Sequence, residues 1–214
     1  MSTNQLIGLH NIKIKICGLT SVDEVEYLKK NNVDFAGIVL FFEKSKRNMT
    51  IEKAKEIIER LKQEGIKPVA VTVSPSNEQV QEIESAGFDY IQIHGNIDDT
   101  LIRNCKIPVL RAFNVDDIPK YDAYLKIDNI AGFVFDAGEP GSGKTFDWNV
   151  LTGLKRDSSK IYILAGGLNS DNVKRAIDFV KPDGVDVSSG VEYADRLGKD
   201  PDRVDAFCLA VRAK

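Results

Sequence analysis

The sequence predicts a fold of the α/β class, a single-domain (β/α)8 barrel over residues 1–214 with parallel strands and little decoration. Three observations predict it. Short β-rich runs alternate with amphipathic stretches from one end to the other, which implies right-handed crossovers and a parallel sheet. Eight such runs can be counted, and no Pro-, Ser- or Gly-rich linker or composition shift divides them. Shared among eight strand-plus-helix units, the chain allows about 27 residues per unit, near the lower limit for a closed barrel. A doubly wound open sheet is the alternative.

In chain order the runs are NIKIKIC, FAGIVLF, PVAVTV, YIQIH, PVLRAF, AGFVFD, KIYILAG and DGVDVSS. The stretch after the first run opens with a capping-box pattern, Ser21-x-x-Glu24, and spaces Val22, Val25 and Leu28 as a helix does. Thr50 to Gln63 repeats the signal with Ile51, Ala54, Ile57, Ile58 and Leu61, before Gly65 and Pro68 punctuate the chain. The last helix starts at Asp200 with Pro201 in its first turn. Period-two alternation in the first run turns Ile12, Ile14 and Ile16 toward the helices and Lys13, Lys15 and Cys17 inward.

Composition excludes several function classes. With 29 Lys+Arg and 32 Asp+Glu the net charge is −3, so no long-range field draws nucleic acid to the chain. No apolar stretch approaches the roughly 18 residues of a membrane span. The two His lack companions at metal-ligand spacing. Three Cys without a C-x-x-C pair, and an MSTNQ start without an apolar leader, are expected of a reducing, cytoplasmic setting.

In either α/β architecture a ligand lies at the C-terminal ends of the strands, so the polar residues that close each run are the candidate site. They are Cys17, Arg47 shortly after the second run, His94, Asp136, the Ala165-Gly166-Gly167 turn and Ser188-Ser189-Gly190. A strand-end Cys is either a small buried hydrophobe or a nucleophile or base. Lys15 and the N-terminus of the Ser21 helix would favour the Cys17 thiolate. Cys105 and Cys208 read as packing residues. Asp136 caps a loop or acts on a ligand, and His94 is a backbone-bonded structural histidine or part of the site. Asp186 and Ser188 share an inward parity. The two Gly turns are tight bends that need positive φ, or a phosphate cradle of backbone N–H groups at helix starts.

Gly138 to Thr145, GEPGSGKT, satisfies the nucleotide-binding P-loop pattern G-x-x-x-x-G-K-[ST]. The helix that should follow is short, interrupted by Asp147, Trp148 and Gly153. The next strand ends in glycines and not in a magnesium-binding Asp. The competing reading is a loop beside the site that closes over a ligand.

Taken together, KICGLT, KSKR, QIHG, GSGKTFDW, LAGGLNSDNV and VDVSSGVE resemble, in order and over nearly the whole chain, the segments of phosphoribosylanthranilate isomerases. The resemblance implies a TIM barrel of tryptophan biosynthesis that carries out an Amadori rearrangement of a small-molecule phosphosugar, with no cofactor. It also implies that the Gly-rich loop before FDW serves without nucleotide hydrolysis. By motif, Asp136 is the general acid and Cys17 the general base, and Arg47 pairs with the anthranilate carboxylate. Gly166, Gly167, Ser189 and Gly190 cradle the phosphate, while Asp186 and His94 lie near the ribose and the floor of the site.

The acid must be protonated and the base deprotonated, against their ordinary values. Burial and Asp186 are expected to raise Asp136, and Lys15 to lower Cys17. Two departures stand out, Pro140 in the Gly-rich loop and an extra residue in GIVLFFEKSKR before Arg47. A related isomerase of histidine biosynthesis is the nearest rival, but it would place an Asp where Cys17 stands. A non-catalytic phosphosugar-binding barrel is another. Monomer and homodimer both remain open.

Overall fold

The computed structural model describes residues 12–137 and 145–213. The start of the chain and Gly138–Lys144, with the Gly-rich pattern and Pro140, lie outside the described residues.

Eight parallel strands close in sequence order into a barrel. They are β1 (Lys13–Cys17), β2 (Phe35–Val39), β3 (Lys67–Val73), β4 (Tyr90–His94), β5 (Val109–Asn114), β6 (Ile130–Asp136), β7 (Ile161–Leu164) and β8 (Gly184–Val187). The helices are α1 (Glu24–Lys30), α2 (Ile51–Gln63), α3 (Asn77–Ser85), α4 (Asp99–Asn104), α5 (Tyr121–Tyr124), α6 (Val173–Val180) and α7 (Pro201–Arg212). Between β6 and β7 the described helical segment is one 3₁₀ turn, Trp148–Leu151, capped by Asp147. The weak helix signal after Thr145 thus becomes a single turn. Further 3₁₀ segments follow β5, Val115–Lys120, and β8, Ser189–Val191.

Closure follows from patterning. Alternate strand residues feed two cores. Ile14, Ile16, Ile38, Ile91, Ile93 and Val185 join an outer layer against the helices. Cys17, Phe35, Val39, Val71, Leu110, Val134 and Ile163 fill the interior. Each fully buried aliphatic side chain contributes roughly 1.5–3 kcal/mol, so this double layer dominates the stability. The closing β1–β8 register sets Lys15 beside Asp186.

Two helix starts follow the expected chemistry. Thr50 Oγ1 accepts from the Lys53 N–H, and α2 then buries Ala54, Ile57, Ile58 and Leu61 on one stripe. Asp200 caps α7 through the Asp202 and Arg203 N–H groups, ahead of Pro201. The first helix differs. It begins at Glu24 rather than Ser21, and Ser21 Oγ accepts from Asp23 N instead of completing a capping box. The Glu24 carboxylate is buried, where it accepts from the backbone N–H groups of Thr20 at 2.7 Å and Lys199 at 2.7 Å. It therefore ties the loop after β1 to the segment before α7, a long-range bond that outcompetes the local cap.

Candidate active site

The strand ends of β1, β6 and β8 converge on one charged centre. Lys15 Nζ donates to Asp186 Oδ2 at 2.8 Å, and the two residues are only 1% and 6% exposed. Burial pulls the Lys15 ammonium down, but Asp186 and Cys17 together outweigh it and leave its pKa above the ordinary value. Burial lifts the Asp186 carboxyl against the opposing pull of Lys15. Asp186 Oδ1 is buried without a hydrogen-bond partner among the described residues, and the residue itself lines the cavity beside Asp136.

Asp136 and Cys17 flank this pair. Burial, then repulsion from Asp186, pushes the Asp136 carboxyl up to about 6, against the opposing effects of the Ala137 N–H and Lys15. That N–H donates to Asp136 Oδ1 at 2.7 Å. The thiol corrects an expectation. Lys15 does pull Cys17 down, but burial is the larger effect and Asp186 adds to it, so its pKa lies above the ordinary thiol value. The helix dipole gives no help, because α1 starts seven residues further on, behind the Glu24 carboxylate. Gly37 makes room for the group. A Cβ there would stand 2.7 Å from Cys17 Sγ and 3.2 Å from Lys15 Nζ.

Beside Asp136 lies a small cavity lined by Asp136, Ala165, Gly166, Gly167, Leu168, Asp186, Val187, Ser188 and Ser189. Gly166 and Gly167 take φ of +83° and +64°. At Gly166 a Cβ would also meet the Ala137 N at 2.5 Å. The tight-bend reading of this turn is met, because both glycines take the positive φ that it requires. One detail changes: α6 begins only at Val173, and a 3₁₀ turn follows β8, so neither glycine turn stands at the N-terminus of an α-helix. Gly190 packs under Leu168, whose carbonyl oxygen a Cβ would strike.

Arg47 reaches the mouth from the loop after β2. That loop bends at Phe41 (φ +56°) and is held by Asn48 Oδ1, which accepts from the Phe42 N–H. The Arg47 side chain crosses Gly18, where any Cβ would collide with its Cδ. Its Nε and NH2 meet the two carboxylate oxygens of Glu192, the NH2 bond at 3.0 Å. Glu192 also meets Lys199 Nζ and Lys46 Nζ, each at 3.0 Å. Burial opposes ionisation of Glu192, yet Arg47, Lys199 and Lys46 hold its pKa down at about 2. Sequence reasoning missed Gly37, Glu192 and Lys199. Glu192 and Lys199 form a small antiparallel bridge, and such a contact within one loop leaves no periodic trace.

His94 stands across the barrel on β4 and does not line that cavity. Its Nε2 lies 2.7 Å from Gln92 Nε2, so its partner is a neighbouring side chain and not the backbone. Burial, with Lys15 and Arg111 nearby, pulls its pKa down to about 3, so the ring is neutral. Cys105 and Cys208 are buried.

Comparison with known proteins fits this geometry. The family model for N-(5′-phosphoribosyl)anthranilate (PRA) isomerase matches residues 14–209. The chain belongs to this family. The N-(5′-phosphoribosyl)anthranilate isomerase of Aquifex aeolicus is 40% identical over 184 residues, 85% of this chain and 89% of that protein. A crystal structure of monomers of the dimeric family member from Thermotoga maritima superposes with a TM-score of 0.81 at 31% identity, covering 94% of this chain and 98% of that one. A second crystal structure, of a family member in complex with reduced 1-(o-carboxyphenylamino)-1-deoxyribulose 5-phosphate, has a TM-score of 0.78 at 30% identity, covering 94% of this chain and 98% of that one. Among the described residues no helix is long and apolar enough to cross a membrane.

Proposed function

We propose that this chain, as one barrel domain, isomerises N-(5′-phosphoribosyl)anthranilate to 1-(o-carboxyphenylamino)-1-deoxyribulose 5-phosphate in tryptophan biosynthesis. The reaction is an intramolecular oxidoreduction. One carbon of the sugar is oxidised as its neighbour is reduced, so proton transfer alone is required and no cofactor enters.

Asp136 acts as the acid. It protonates the furanose ring oxygen, the bond from that oxygen to C1′ breaks, and a Schiff base forms. Cys17 then removes the C2′ proton, giving an enolamine that tautomerises to the ketone. The observation that carries this reading is the Asp136 carboxyl, held near neutrality beside a glycine-lined cavity. A carboxylic acid with pKa about 6 keeps its proton far better than an ordinary Asp and still transfers it readily. In the remainder of the site, Gly166, Gly167, Ser189 and Gly190 receive the phosphate. The unpartnered Oδ1 of Asp186 accepts from a ribose hydroxyl, His94 contributes to the floor, and Arg47 takes the anthranilate carboxylate.

The test is direct. Purified protein should quench the fluorescence of phosphoribosylanthranilate without added metal or nucleotide. Folded protein that leaves the substrate unchanged overturns the proposal.

A further inference from the structure

We propose that Glu192, anchored by Lys199, is a positioning residue that sets the substrate-facing edge of Arg47. This rests on the reading of Arg47 as the carboxylate-binding residue. A guanidinium carries five N–H donors in a fixed planar fork. Glu192 occupies one side of that fork, Nε and NH2, in a bidentate pair. That leaves the end-on fork, NH1 and the second NH2 hydrogen, which no acceptor takes among the described residues. A planar group clamped along one edge cannot swing about its long side-chain stem, so the remaining edge has a defined direction. That direction is what a second bidentate carboxylate requires.

The clamp is built from the inside. Lys199 is fully buried, and its Nζ meets Glu192 Oε1 at 3.0 Å and the Ser188 carbonyl oxygen at 3.2 Å. Ser188 Oγ in turn donates to the Cys17 carbonyl oxygen at 2.9 Å. Gly18 leaves the space in which the Arg47 stem lies. Arg47 is thereby referenced to the strand end that carries Cys17 through the segment after β8, across the β1–β8 closure, although it comes from the loop after β2. The charges agree with this role. Three cations, Lys46, Arg47 and Lys199, meet one carboxylate. The cluster keeps a positive surplus, and an incoming carboxylate neutralises part of it without displacing Glu192.

Two ligands test this by calorimetry: reduced 1-(o-carboxyphenylamino)-1-deoxyribulose 5-phosphate and its phenylamino counterpart, which lacks the carboxyl group. The parent should prefer the carboxylated ligand, and Arg47→Met should erase the preference. Glu192→Gln should weaken the carboxylated ligand by about 10-fold while changing the phenylamino ligand by less than about 2-fold. Glu192→Asp, which keeps the charge, should restore most of the preference. Equal weakening of both ligands by Glu192→Gln would make Glu192 a general support of its loop and overturn the proposal. Tighter binding of the carboxylated ligand would make Glu192 a competitor for Arg47 and overturn it equally. If Arg47→Met leaves the preference intact, the reading of Arg47 fails and takes this inference with it. If Arg47→Met erases the preference and Glu192→Gln does not, the inference alone fails.

Discussion

Two sides of the barrel mouth carry buried polar groups at strand ends, and they differ in whether a cavity stands beside those groups. On the β4–β5 side the Arg111 guanidinium is held by backbone carbonyl oxygens, although Arg111 Nε, Gln92 Oε1 and Asn114 Oδ1 have no hydrogen-bond partner among the described residues. Arg111 donates to the carbonyl oxygens of Ile93 at 2.7 Å, Ala112 at 2.8 Å and Gly95 at 2.6 Å, and its guanidinium lies 5.0 Å from the Phe113 ring centroid. His94 is neutral beside Gln92. On the β1–β6–β8 side burial, reinforced by Asp186, displaces protonation beside a cavity: Asp136 lies at about 6, Cys17 lies above its usual value, and Asp186 keeps one oxygen without a partner among the described residues. Strand-end position alone therefore does not make a residue functional. A reactive group is recognised by protonation displaced from its reference beside an accessible cavity.

The largest effect that separates the two sides is expected from Asp136→Asn. Turnover should fall by about 10² to 10⁴-fold, the usual worth of a positioned acid. Stability should move the other way. The folded pKa of Asp136 lies above the ordinary Asp value of 3.8, so the folded chain holds that proton more tightly than the unfolded one. Its contribution is present in full below the unfolded value and is lost as pH rises through about 6. At pH 8 the buried carboxylate is a cost that the amide removes. Asp136→Asn should therefore melt higher than the parent at pH 8, and the gain should vanish below about pH 4. A variant that loses both rate and melting temperature at pH 8 would place Asp136 on the structural side of the comparison.

Lys15→Met sharpens the same contrast. With Asp136 as the proposed acid and Cys17 as the proposed base, the productive form has the first protonated and the second ionised, so kcat/KM should be flat between two limbs, a lower one at Asp136 and an upper one at Cys17. Lys15 lowers both groups, and Cys17 more strongly. Its removal should shift both limbs to higher pH, the upper more than the lower. The plateau itself should fall less than the upper limb moves, because a weaker base is partly offset by a more fully protonated acid. An unmoved upper limb would remove Lys15 from the tuning of Cys17. Circular dichroism must accompany the profile, since a buried Asp186 without its partner costs about 3–5 kcal/mol.

Much of this was legible in the sequence, for identifiable reasons. Strand parity is a local property, so Lys15, Cys17, Asp136 and Asp186 could be turned inward from alternation alone, and closure of β1 onto β8 then brought two of them together. The direction of the Asp136 shift followed from burial and a neighbouring carboxylate. The direction for Cys17 did not, because the sign depends on whether desolvation exceeds the Lys15 attraction, and burial depth is a tertiary quantity. The start of α1 was misplaced for a related reason. The Glu24 carboxylate has a better offer from the Lys199 N–H, 175 residues away. Glu192 closes the VDVSSGVE segment without standing out in it, and Lys199 lies outside every such segment, because their importance comes from Arg47, which belongs to another loop.

Arg111→Met tests the structural side by stability. Loss of the guanidinium leaves three carbonyl oxygens at the ends of β4 and β5 without their donor. A cost of about 2–4 kcal/mol is expected from bonds to a charged group. Denaturant melts should show it, while kcat/KM per folded molecule stays within about 3-fold of the parent. A rate loss of a hundredfold in folded protein would show that this side does more than hold the strands.

His94→Gln should produce the smallest change, and it tests the comparison at its weakest seam. A histidine at the end of a barrel strand, within the electrostatic reach of Lys15, invites assignment as the acid or base. Its pKa of about 3 argues otherwise, because a ring that stays neutral throughout the working range donates no ionisable proton and carries no charge to the transition state. The amide of Gln is also neutral and can still bond to Gln92. The variant should therefore raise KM by no more than about 5-fold through altered contacts with the sugar, keep kcat within about 3-fold, and retain both limbs of the pH profile. The decisive measurement is the lower limb. It stays near pH 6 if Asp136 produces it, and loss of that limb in His94→Gln would transfer the titration to the imidazole.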